Sequence, residues 1–180
     1  MPRTSVRKML CRFRRNRRGS TAVEFALVAP AFFALLFAIL ETAIMFFADQ
    51  VLESVTQTAA RTIMTGQTQA AGYSEAQFMA NVVCPSGSLA SVLFNCTTGI
   101  SVDVQSYPAF GNVVINSQID AGNNFVPPTN FNPGGPSQIV VVRLFYQWPL
   151  FVTGLGYNIA NLSGGKRLLV ATAAFQNEPY

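Results

Sequence analysis

The sequence predicts an α+β, single-pass membrane protein in which one long N-terminal helix, first lipid-facing and then amphipathic, packs on a small antiparallel sheet. Three observations carry this. A basic leader precedes a 23-residue apolar run, Phe25 to Phe47. Beyond that run apolar residues keep recurring at helical steps up to about Gly66. After Cys96 the period changes to two, the spacing of strands that bury one face.

The leader holds Arg3, Arg7, Lys8, Arg12, Arg14, Arg15, Arg17 and Arg18, eight of the chain's twelve bases, and no acid. From Gly19 onward four bases face eight acids, so the leader carries +8 and the rest −4. Such a block indicates either nucleic acid or the inner face of a membrane. The adjoining apolar run decides for the membrane and against nucleic acid. At ~1.5 Å per residue the run from Phe25 to Phe47 crosses a hydrocarbon core of roughly 30 Å. The basic flank keeps the N-terminus in the cytoplasm and sends the remainder outward. A removed secretory signal fits less well, because the run exceeds the ~7 to 15 apolar residues usual there and Phe46 stands where a small residue is needed.

Past the membrane the helix continues. Ile44, Phe47, Val51, Val55, Ala59 and Ile63 form the expected apolar face, and Asp49, Glu53, Gln57 and Arg61 the polar one. The helix is placed at about Val23 to Thr65, with Gly66 as its stop. A short second helix begins at Ser74, whose side chain caps it, and ends before Cys84-Pro85. Ile100 to Gln105 reads as a half-buried strand, Val113 to Ile119 as a weaker one, and the Pro-, Gly- and Asn-rich segment 121–137 as a loop. Gln138 to Trp148 should be a long strand packed by its even face, Val140 to Trp148, with Arg143 and Gln147 on the other side. Lys166 to Phe175 closes the sheet. The second apolar region, 139–160, is not a second crossing, since an open strand would leave backbone groups unpaired in lipid. The expected parts are a leader at 1–19, a membrane helix at 20–47, its amphipathic continuation at 48–69 and an exported α+β domain at 70–180.

Cys11 lies in the leader and stays reduced, whereas Cys84 and Cys96 lie in the exported part, where a disulfide can persist; two free thiols are the alternative. With no histidine and no paired CxxC spacing, no metal site or cofactor is expected. Nor does the chain show a nucleophile-base pair or a phosphate loop, so it is not read as an enzyme.

Function concentrates in Arg17-Arg18-Gly19-Ser20-Thr21-Ala22-Val23-Glu24-Phe25. A carboxylate at the entry to an apolar helix is costly unless it has a partner. If the chain is cut between Gly19 and Ser20, the new α-amine of Ser20 can be neutralised by a neighbouring subunit's Glu24, setting the axial register of helix against helix. The plain alternative is a Glu24 that snorkels to the headgroups. Glu41 is read that way at the outer interface. Pro30 removes a backbone donor and is the expected kink. Small residues at Ala22, Ala26, Pro30, Ala34, Ala38 and Thr42 recur every four positions, a stripe that drifts around the helix. The Trp148-Pro149-Leu150-Phe151 turn has two readings, core packing and contact with a membrane surface or partner, and core packing is preferred.

The segment Arg17 to Pro30, RRGSTAVEFALVAP, resembles the processing segment of the TadE-like pseudopilins of the bacterial tight-adherence (Flp) pilus system. Val141 to Leu150 and Ala171 to Tyr180 resemble strands typical of the same family. The resemblance implies a pilin-like fold and cleavage after Gly19 by a membrane prepilin peptidase that recognises Gly19 and Glu24. It implies a minor or accessory subunit at the bacterial inner membrane, with membrane lipid, other pilin or pseudopilin subunits and the pilus assembly platform as partners and a periplasmic C-terminal domain. Rival readings are an uncleaved single-pass anchor bearing a periplasmic ligand-binding or sensor domain, and a secreted enzyme on a signal anchor.

Overall fold

The computed structural model describes residues 19–96, 98–152 and 157–180, so the leader before Gly19 lies outside the described residues. They divide into two compact units, one that ends at Leu40 and one that runs from Glu41 to Tyr180. Helix α1 runs Ser20–Met64 and includes Pro30 without interruption. Its most apolar 18-residue window has a mean hydropathy of 2.4, and it is the one candidate membrane span among the described residues.

In the first unit, α1 exposes Val23, Phe25, Leu27, Phe32 and Leu35. Phe33 meets Phe32 edge-on at 5.5 Å and Phe37 at 6.5 Å. Ala38 is buried in this stretch, but a helix that exposes large apolar side chains over so many turns suits a lipid solvent.

In the second unit, α1 packs by Met45, Ala48, Leu52, Ala59 and Ile63 on a three-stranded sheet formed among the described residues. Strands β1 (Ile100–Tyr107), β2 (Ile139–Pro149) and β3 (Lys166–Gln176) lie in the order β1-β2-β3, both pairs antiparallel. The fold is α+β, a long apolar N-terminal helix on an antiparallel sheet, as the sequence predicts.

The face of α1 differs from the predicted one in its first turns. Ile44 and Phe47 are half exposed, and Met45 and Ala48 are buried in their place. Uniform four-residue steps drift by ~40° each, whereas alternating three and four residue steps hold one side. Gly66 ends the helix as expected, at φ +76°, with its N–H on the Ile63 carbonyl. The C-terminal segment returns to this end, where the Glu178 N–H donates to the Met64 carbonyl.

After the turn α2 (Gln67–Ala70), Ser74 caps α3 (Glu75–Phe78) through a capping box with Gln77. The chain then widens into a π-helical turn, Met79–Val83. A further short helix, α4 (Leu89–Leu93), is too brief to show a period, and its one local mark is the cap Ser88, a small polar residue before an apolar group. Cys84 and Cys96 are bridged across this segment, with Cα atoms 6.0 Å apart.

Two strand expectations need correction. Residues 113–119 form no strand but a connection whose Ile119 bridges Phe125. β2 is not one-sided: Ile139 to Phe145 are all buried. Its even face meets α1, and the odd face is covered by a second apolar cluster of Phe145, Leu162 and Leu168 with Ile119 and Phe125. A central strand covered on both sides loses its alternation.

Candidate functional site

Gly19 stands exposed immediately before α1, with no atom near the position a Cβ would take. Ser20 is the first helical residue, and Glu24 follows four residues later and is exposed. The geometry thus presents glycine, helix start and carboxylate in one accessible stretch. Pro30, also exposed, lacks the N–H that the Ala26 carbonyl would accept, so that carbonyl is the weak point of the ladder.

Glu41 behaves unlike a snorkelling acid. It is buried, and its carboxylate accepts the backbone N–H groups of Phe151 and Val152, the latter at 3.1 and 3.2 Å. Beside it, Thr42 shares a hydrogen bond with the Tyr157 hydroxyl. Side chains on α1 therefore hold the turn after β2 by its polar groups. In that turn Trp148 packs against Tyr146, ring centroids 6.1 Å apart, while Phe151 is 83% exposed. A glutamate inside an apolar run is the sequence signal, but its donors lie 110 residues away.

A second buried acid, Asp103, is one that sequence reasoning misses. It sits directly opposite Arg143 across β1 and β2, with Arg143 Nη2 at 2.6 Å and Nε at 2.9 Å from Asp103 Oδ2. Gln105 donates to both Asp103 oxygens, and Arg143 Nη1 donates to the Asn116 carbonyl at 2.9 Å. The guanidinium lies 5.2 Å from the Phe145 ring. A signal exists, because opposite charges occupy the supposedly outer positions of two neighbouring strands. This network ties the 113–119 connection to the sheet.

β3 forms one edge of the sheet, and two clefts separate it from α1. The larger, about 610 Å³, is lined by Gln57, Arg61, Met64, Thr172, Phe175 and Glu178 among others. The smaller, about 240 Å³, includes Phe46, Asp49, Arg167 and Val170. The predicted polar face of α1 borders both. Burial, reinforced by Glu53 and opposed by Arg167, pushes the Asp49 carboxyl above the usual carboxylate range. Among the described residues no group of three His, Cys, Asp or Glu side chains could hold a metal ion.

Residues 19–61 match the family model described as TadE-like protein. The N-terminal segment is thus similar to TadE-like proteins. The match begins at Gly19, takes in Glu24, Pro30 and Glu41, and ends at Arg61, inside α1. No curated protein and no solved structure matches the chain. The TadE-like family is a structural, pilus-associated one, and its members engage other pilus components.

Proposed function

We propose that this TadE-like chain is a minor or accessory pseudopilin of a tight-adherence (Flp-type) pilus or related secretion system, cleaved after Gly19 by a prepilin peptidase and assembling at the inner membrane. The observation that carries the reading is the TadE-like match starting at Gly19, between a wholly basic leader and an apolar helix that bears Glu24. In this reading residues 1–19 are the cytoplasmic leader, 20–47 the membrane helix, 48–69 its continuation and 70–180 the periplasmic domain. The exposed Gly19 fits a processing site, since a peptidase must reach an unencumbered backbone. Glu24 would contribute either to recognition by the peptidase or, after the cut, to register against the Ser20 α-amine of a neighbour.

The mature N-terminus tests this by mass spectrometry in cells that have an active prepilin peptidase. A chain beginning at Ser20 is expected; one beginning at Met1 overturns the reading in favour of an uncleaved anchor. Glu24→Ala separates the two roles. Loss of the Ser20 terminus assigns Glu24 to cutting, whereas normal cutting with loss of cross-links between subunits assigns it to assembly. A Glu24→Ala chain that is both cut and cross-linked like the wild type would leave Glu24 without either role.

A further inference from the structure

We propose that the segment directly after β2, Leu150 to Val152, led by Phe151 and fastened to Glu41, inserts into the outer leaflet of the bilayer. The inference rests on α1 being a membrane span.

The apolar run does not end where the second unit begins. That unit starts at Glu41, yet Ile44, Phe46 and Phe47 remain 52, 61 and 53% exposed. Only one side of α1 is bare over these turns, because Glu41, Met45 and Ala48 on the other side are buried. The run ends at Phe47, six residues or ~9 Å beyond Glu41. If lipid covers Ile44 and Phe47, whatever packs on Glu41 lies within the same leaflet. The group packed there is the backbone of Phe151 and Val152.

The chemistry of the turn suits that depth. Irregular backbone in lipid must have its N–H groups satisfied. Here the Glu41 carboxylate accepts two of them, and Pro149 has none to satisfy. The carboxylate in turn gains the donors without which a charge within an apolar run would be costly. Thr42 and Tyr157 satisfy each other's hydroxyls in the same way. The Phe151 and Val152 N–H groups face α1, while the Phe151 side chain is the most exposed large apolar one among the described residues. Trp, Phe and Leu are the side chains that interfacial segments bury at the headgroup–acyl boundary. In water, a phenylalanine as exposed as Phe151 would have no comparable favourable surroundings.

The test uses the full chain in phosphatidylcholine nanodiscs with brominated acyl chains. Trp148 is the only tryptophan, so a Trp148→Phe background gives a silent protein. Into it go single probes, Phe151→Trp and, as a control within the span, Phe32→Trp. Bromines near the head of the acyl chain are expected to quench the Phe151→Trp probe about twofold, and bromines near the chain end to quench it less. The Phe32→Trp probe should show the opposite preference. Adding Glu41→Ala should remove most of the Phe151→Trp quenching while a mass measurement confirms the Cys84–Cys96 bridge as a marker of folding. An unquenched Phe151→Trp beside a quenched Phe32→Trp overturns the inserted turn and leaves the span standing. If neither probe is quenched, both the span and the inference fall. Quenching that survives Glu41→Ala overturns the fastening role of Glu41.

Discussion

Asp103 and Arg143 form a buried pair whose worth lies in being complete. Each charge has left water, and the attraction between them is what offsets that loss. Asp103→Ala would strand the guanidinium against the Phe145 ring and the Asn116 carbonyl, and should destabilise the chain by about 3–5 kcal/mol. Replacing both partners, Asp103→Leu with Arg143→Met, should cost much less. Chemical denaturation of both variants in detergent checks this, and equal losses would show that the pair matters by shape and not by charge. Asp49 poses the opposite problem, a half-buried carboxyl whose ionised form the fold disfavours. Its raised native pKa means that its contribution is fully present below the unfolded value of about 3.8 and is lost as pH rises through the native value. Asp49→Asn should therefore raise the thermal midpoint at neutral pH and leave it unchanged at acid pH. The gain should stay below about 1 kcal/mol because solvent screens the group. A midpoint that falls at neutral pH would show that Arg167 outweighs burial.

At the scale of elements, local chemistry is legible in the sequence and long-range covering is not. The Ser74 cap, the stop at Gly66 and the period-two strands depend on neighbours in sequence, and each can be placed from them. The inner side of α1 before Val51, the burial of Arg143 and the partner of Glu41 depend on what another part of the chain lays over them. The TadE-like segment is recognisable because Gly19 to Pro30 is contiguous, whereas the turn held by Glu41 is assembled from residues 110 apart. Gly66 illustrates both kinds of cause. Its φ of +76° is a local demand for glycine, but a Cβ there would also come within 2.6 Å of the Tyr180 ring. Gly66→Ala should cost about 1–2 kcal/mol from the left-handed backbone alone, and more with Tyr180 in place. Thermal unfolding of Gly66→Ala with and without Tyr180→Ala separates the two contributions. Equal losses in both backgrounds would remove Tyr180 from the account.

For the whole molecule, the decisive quantity is how charge is distributed along the chain. The chain carries +4, but without its eight leader bases it would carry −4, and the first base after Ser20 is Arg61, at the far end of α1. A mature chain would thus have lost the charges that orient its span, keeping only a new α-amine on that side. Under the proposed processing, orientation would have to be settled before the cut, and afterwards a folded, bridged domain on the far side would prevent its reversal. Neutralising Arg12, Arg14, Arg15, Arg17 and Arg18 together to glutamine should leave a large fraction of newly made chains wrongly oriented, with Cys84 and Cys96 still reduced. Thiol alkylation followed by mass measurement reads that fraction directly, since the bridge forms only where the compartment is oxidising. Cutting wild-type chains that are already inserted should leave the bridged fraction unchanged. If the neutralised chains are bridged as fully as wild type, these five arginines do not orient the span.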